Sequence, residues 1–145
     1  MHDLPRQLSN QELDELFEGH TLLTEELARR EDPLGQARAV LEEMTDDARV
    51  EALNTHPRIG EATGSERSAG EQGSDDDPAL LAALRRLNKT YEEKYGFRFV
   101  VFVNQRPRAE IISVMRQRLQ HSRDEELGTG LDELVAIALD RWQSR

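Results

Sequence analysis

Apolar residues recur at helical spacing through most of the chain, separated by short polar breaks that carry capping residues. Ser9-Asn10-Gln11-Glu12 has the Ser-x-x-Glu form of a capping box, in which the serine oxygen and the glutamate side chain satisfy amides left free at a helix start. Leu13, Leu16 and Phe17 then make an apolar stripe. Gly19 predicts the end of that helix, and Thr21 to Arg30 predicts a second, with Leu22, Leu23 and Leu27 inward. Asp32-Pro33 opens a third helix carrying Leu34, Ala37, Val40, Leu41 and Met44 at helical spacing. Thr45-Asp46-Asp47 opens a fourth, with Ala48, Val50, Ala52 and Leu53 as its less polar positions. The acidic residues at these openings suit the positive end of the helix dipole and need no functional explanation.

After Pro57 the texture changes. Gly60, Gly64, Gly70 and Gly73 interrupt a polar, nearly leucine-free stretch that composition reads as a flexible linker. Asp75-Asp76-Asp77 reads as the cap region of the next helix rather than a cation site, because no regular ligand spacing follows. Pro78 begins a long helix to about Tyr95, with Leu80, Leu81, Leu84, Leu87, Asn88 and Tyr91 along one side and Gly96 as its left-handed stop. Phe97 to Val103 is aromatic and β-branched, which favours an extended strand. Nothing else reads as a strand, and a lone one leaves its amides and carbonyls free. A buried extended connector whose free backbone groups face a ligand, and a central hydrophobic anchor, are the two readings, and both can hold together. Pro107 starts another helix, with Ile111, Ile112, Met115 and Leu119 apolar and Arg108, Arg116 and Arg118 facing water. Ser122-Arg123-Asp124-Glu125 is a second capping box, opening a final helix through Leu127, Leu131, Leu134, Val135, Ala138, Leu139 and Trp142. Gly128 and Gly130 each cost that helix ~1 kcal/mol relative to alanine; close helix packing, a subunit contact and ordinary tolerance would each account for them. The pattern predicts an all-α fold: a compact single-domain helical bundle over residues 1–145, of about seven to eight helices, with one extended connector near residues 97–103.

Composition narrows the functional classes. With 145 residues and a hydrophobic fraction of 37%, the chain can build one core. Its 29 acidic against 19 basic residues give a net charge of −10, which opposes nucleic acid and anionic membrane surfaces as partners. An anionic small-molecule substrate would have to be met by locally placed donors. The absence of cysteine excludes disulfides, thiolate metal sites and a cysteine nucleophile, and fits a reducing cytosol. Met1-His2-Asp3-Leu4-Pro5-Arg6 lacks an apolar signal core, the longest apolar run is far short of a membrane span, and the last residues carry no peroxisomal tripeptide. The expectation is a soluble, cytoplasmic protein.

Candidate chemistry centres on two patches. Pro57 disfavours helical geometry in the residue before it, so His56 is pinned at a helix exit. Downstream, Ser68, Glu71 and Gln72 stand at i, i+3 and i+4 and would share one face of a helix. Together they offer an imidazole able to titrate near neutral pH, a carboxylate, an amide and a hydroxyl: an acid-base set without a metal. Composition alone reads Ser68, Glu71 and Gln72 as solvated loop. His20 reads as a partly exposed junction residue, and His121 as a favourable cation near a helix end. No His-x-x-x-His or comparable ligand pair occurs.

Four ordered blocks carry a family resemblance over nearly the whole chain: His56-Pro57-x-Ile59-Gly60; Ser68-x-x-Glu71-Gln72; Leu87-Asn88-x-x-Tyr91-x-x-x-Tyr95-Gly96-Phe97-x-Phe99-Val100; and Ala109-Glu110-Ile111-Ile112. This order resembles the 2-oxo-4-hydroxy-4-carboxy-5-ureidoimidazoline (OHCU) decarboxylases of urate breakdown. The resemblance implies a cofactor-independent carboxy-lyase, no metal, the product (S)-allantoin and a homodimer. It implies His56 as general acid/base and Glu71 as the carboxylate that orients it. Ser68 and Gln72 would bond the ring and ureido edges, Pro57 would wall the pocket, and the backbone of Phe99, Val100, Val101, Phe102 and Val103 would hold the opposite side. Relatives place a substrate-gripping arginine where this chain, aligned on Ala109-Glu110-Ile111, has Asn104. Arg106, two positions on, would reach the same anion, or Asn104 would bond it neutrally. The competing readings are a non-catalytic helical interaction module, a decarboxylase of a related ureido or imidazoline acid, and a metal-dependent hydrolase using His56 with His20 or Glu71.

Overall fold

The computed structural model describes residues 7–60 and 77–144. Seven helices lie within them: α1 (Asn10–Leu16), α2 (Leu22–Leu27), α3 (Pro33–Glu43), α4 (Asp46–Asn54), α5 (Pro78–Tyr95), α6 (Arg108–Arg118) and α7 (Arg123–Gln143), with no strand among the described residues. The caps fall where the local chemistry puts them. Ser9 and Glu12 close a reciprocal box on α1, and Ser122 and Glu125 close one on α7. Asp32 and Thr45 accept from the amides of Gly35 and Ala48 at the starts of α3 and α4. Gly96 ends α5 in the left-handed region at φ +83°.

Helix α7 is the axis of the molecule, packing against α1, α3, α4 and α5. Close approach to α4 depends on Gly130, where a Cβ would lie 3.3 Å from Leu53 Cδ2. Of the readings open for this glycine, the structure selects close helix packing. Leu13, Leu27, Leu41, Leu53, Leu84, Tyr91, Ile111, Leu131 and Leu134 meet in one buried cluster.

Three expectations are corrected. Helix α2 is shorter than Thr21 to Arg30, and Leu22 is 52% exposed rather than inward. It occupies the first turn, where its amide donates to Glu51 Oε1 at 2.8 Å, while Leu23 and Leu27 fill the buried face. Helix α1 ends at Leu16, before Gly19, and Glu18 takes a left-handed conformation at φ +64°. Arg108 and Arg118, expected to face water, are 8% and 5% exposed. Arg118 is drawn inward by the fully buried Glu126, whose Oε1 lies 2.8 Å from its Nε; apolar periodicity does not register such a pair.

Residues 97–103 run extended between α5 and α6 without pairing as a strand. Phe97, Phe99, Val100, Val101 and Val103 are buried, and the Tyr91 ring lies edge-on to both Phe97 and Phe99. The segment is therefore a hydrophobic anchor. Most of its backbone partners are side chains, among them Arg118, which donates to the Val100 carbonyl at 2.8 Å, and Glu133, which accepts from the Phe102 amide at 3.4 Å.

Candidate active site

His56 lies just beyond α4, its amide donating to the Leu53 carbonyl at 3.2 Å. Pro57 prevents continuation of the helix, so the imidazole leaves the bundle at a defined point. Long-range bonds hold this exit. Thr55 Oγ1 donates to the carbonyls of Ala52 and Phe17 at 2.9 and 3.1 Å. Arg98 Nη1 donates to the His56 carbonyl at 3.0 Å, while the Arg98 amide donates to Asn54 Oδ1 at the same distance. Beyond the proline, Asn88 Nδ2 donates to the Ile59 carbonyl at 2.9 Å, and Gly60 turns at φ +82°. The start of the connector and the end of α4 are thus tied to each other through backbone groups.

His56 faces a recess bounded by Pro57, Ile59, Ile137, Arg141 and residues 99–103, with about 460 Å³ of empty space open to solvent on one side. The imidazole is 6% exposed, and its Nε2 has no hydrogen-bond partner among the described residues. Burial pushes its pKa down to about 4, assisted by the Arg141 charge and opposed by Glu18. The expectation of a group titrating near neutrality is corrected for this environment: with these neighbours His56 is a neutral imidazole at pH 7.

Among the described residues Arg141 is the one formally charged side chain lining the recess, and the sequence pattern did not point to it. It lies in the last turn of α7, 2% exposed. Its Nη1 donates to the Leu16 and Glu15 carbonyls at 3.1 and 3.4 Å, and its Nη2 lies 3.2 Å from Glu18 Oε1. Two of its bonds therefore satisfy carbonyls left open at the C-terminus of α1. A signal was present: Arg141 follows Leu134 and Ala138 along the apolar stripe of α7, a cation where the pattern calls for a hydrophobe.

Among the residues expected at the site, His56, Pro57, Phe99, Val100, Val101, Phe102 and Val103 come together around this recess. Ser68, Glu71 and Gln72 lie outside the described residues. Asn104 is exposed, in a left-handed turn at φ +49°. Arg106 folds back onto the connector, its Nε and Nη2 donating to the Val103 and Phe102 carbonyls at 3.0 and 2.6 Å. Neither Asn104 nor Arg106 lines the recess, whereas Arg141 does. His20 is exposed, bonded to Asp14 and Glu25, which raise its pKa with Glu25 the larger influence. No group of three or more histidines and carboxylates among the described residues could hold a metal ion, and no helix there is long and apolar enough to cross a membrane.

Fold and recess together define a small helical protein in which a buried imidazole, a buried guanidinium and the backbone of the connector line one open recess. The class becomes specific on comparison with known proteins. Residues 2–143 match the OHCU decarboxylase family, and the chain belongs to it. The 2-oxo-4-hydroxy-4-carboxy-5-ureidoimidazoline decarboxylase of Haloferax volcanii is 31% identical over 164 aligned positions, covering 100% of this chain and 98% of the relative. That of Halalkalicoccus jeotgali is 34% identical over 118 positions, covering 77% and 67%. Among solved structures, an OHCU decarboxylase crystallised in the presence of (S)-allantoin has a TM-score of 0.71 at 20% identity, over 82% of this chain and 86% of that one. An (S)-allantoin synthase has a TM-score of 0.70 at 20% identity, over 93% and 48%. At these identities the solved structures establish the fold.

Proposed function

We propose that the chain decarboxylates OHCU to (S)-allantoin in urate degradation, without a cofactor. The reacting carbon of that substrate bears both a hydroxyl and a carboxylate within a conjugated imidazoline ring. When the C–C bond to the carboxylate breaks, carbon dioxide leaves and the electron pair spreads into the adjacent C=N and C=O groups. The hydroxyl then gives up its proton to become the ring carbonyl, and a proton adds to the neighbouring, ureido-bearing carbon to form the new C–H bond and the stereocentre of (S)-allantoin. The ring is its own electron sink, so the protein supplies orientation, a proton path and control over the face that is protonated.

The observation that carries this reading is the buried, neutral His56 in a recess where, among the described residues, its Nε2 has no partner and Arg141 is the single formal charge. His56 would bond the reacting hydroxyl or transfer the proton as general acid/base. Arg141 would attract the anion against the net negative field of the molecule and offset the charge that develops in the ring. The amides of Val101 and Val103 find no acceptor among the described residues, which suits them to ring or ureido carbonyls. Glu71 would orient His56, with Ser68 and Gln72 at the ring and ureido edges. Arg141 takes the anion-gripping task that the sequence reading left to Asn104 or Arg106. Cytoplasmic placement and a homodimer belong to the same proposal, resting on the family resemblance; sedimentation of the purified chain reads the latter.

The decisive experiment supplies purified protein with freshly generated OHCU and follows the optically active product by circular dichroism. Accelerated formation of (S)-allantoin is expected. His56→Asn should reduce the rate by at least about 10²-fold, the low end for loss of a general acid/base, with an unchanged far-ultraviolet spectrum. Retained activity in a folded His56→Asn protein would sink the assigned role.

A further inference from the structure

A second set of polar groups is packed against the connector, and none of Tyr91, Arg118, His121 and Glu126 is among the residues that line the recess. Glu126 is 0% exposed. Its Oε1 accepts from Tyr91 Oη at 2.6 Å and from Arg118 Nε at 2.8 Å, and its Oε2 lies 2.7 Å from His121 Nδ1. Burial first, and the neighbouring carboxylate second, raise the Tyr91 pKa, so its hydroxyl is a donor across the physiological range. Arg118 does not end at Glu126. Its Nη1 donates to the Val100 carbonyl at 2.8 Å, and the guanidinium lies over the Phe99 ring at 4.4 Å. Tyr95 Oη bonds the Arg118 and His121 carbonyls at 3.0 and 2.7 Å, closing the network onto the α6–α7 turn.

A buried ion pair of this kind is a poor source of stability, because desolvating two charges offsets most of their attraction and apolar side chains of similar volume do as well. What it supplies is geometry. An extended segment without strand partners has no ladder to fix its position, and Val100 is held through its carbonyl by one planar guanidinium anchored to a fully buried carboxylate. We propose that Glu126 and Arg118 are positioning residues: through the Val100 carbonyl they fix the recess-facing backbone of residues 99–103 in the register that receives substrate. The claim rests on the connector serving as the wall of the active site.

Arg118→Lys keeps a charge opposite Glu126 but loses the fork that reaches Glu126 and Val100 together; Glu126→Gln keeps the shape and loses the charge. In folded protein, both variants are expected to raise KM about tenfold while kcat changes by less than about threefold, the signature of weakened binding rather than altered chemistry. The backbone resonances of residues 99–103 should shift or broaden, with those of α1 to α3 unchanged. A purely structural pair would lower the thermal midpoint and leave KM and the connector resonances of the folded protein as they were; that result overturns the proposal. Should both variants fail to fold, Tyr91→Phe removes only the hydroxyl donated to Glu126. It should reproduce the resonance changes with a KM rise of about threefold, and wild-type behaviour there overturns the claim equally. If the unmutated chain does not decarboxylate OHCU, the functional reading falls, while the resonance measurements still decide whether this pair positions the connector.

Discussion

Burial holds the His56 imidazole neutral, and that state is a property of its neighbours rather than of histidine. The described groups around it are the apolar lining, the Arg141 cation and the Glu18 carboxylate, and together they bring its pKa to about 4. A further carboxylate at Nε2 would favour the protonated form and raise this value. In the unmutated chain the imidazole should titrate at about 4 by NMR; a lower value in Glu71→Gln protein would show that Glu71 reaches it, and equal values in both that it does not. The linkage to stability has a fixed sign. An unfolded chain takes up this proton near 6.5, while the folded chain resists it down to about 4. Stability is then fully present above 6.5 and is lost as pH falls through the interval to about 4. A displacement of that size corresponds to about 3 kcal/mol. Urea unfolding at pH 7 and pH 4.5 measures it, and adding His56→Asn should remove most of the pH dependence.

At the scale of elements, what is local was legible and what is distant was not. Ser9, Thr45, Ser122 and Pro78 announced helix starts because a cap involves residues two or three positions apart. Gly96 announced the end of α5 because only a left-handed residue closes that turn. Nothing near lies against it: a Cβ built there meets no atom within 4 Å. Gly96→Ala should accordingly cost about 1 kcal/mol through backbone strain alone, measured by urea unfolding, with no compensating change from packing. The extended connector was readable from the aromatic and β-branched run at 97–103 and the lack of any partner strand. The inward turn of Arg118 and the arrival of Arg141 beside His56 were not, since each depends on partners in other helices. Arg141 is anchored to carbonyls more than a hundred residues earlier in the chain. Apolar periodicity assigns faces to helices, and it treats a buried, bonded cation as an exposed one.

The whole molecule carries ten more negative than positive charges, and its ion pairs do not change that excess. Arg38 with Glu42 and Asp132, Arg123 with Asp46, and Arg30 with Glu26 and Glu43 are at least partly exposed. Pairs of that kind contribute about 0–1 kcal/mol each and are weakened by salt. The unbalanced charges repel one another more closely in the folded state than in the expanded unfolded chain, and salt weakens that repulsion too. The two effects oppose, and the excess decides the sign because it acts among all exposed carboxylates while each pair acts alone. Raising sodium chloride from about 10 mM to about 0.5 M, which shortens the screening distance from about 30 Å to below 10 Å, should therefore raise the thermal midpoint. The same screening should lower KM for an anionic substrate, because the opposing field weakens while the buried Arg141 keeps its short-range attraction. A midpoint that falls with salt would mean the surface pairs, rather than net repulsion, set the electrostatic stability of this fold.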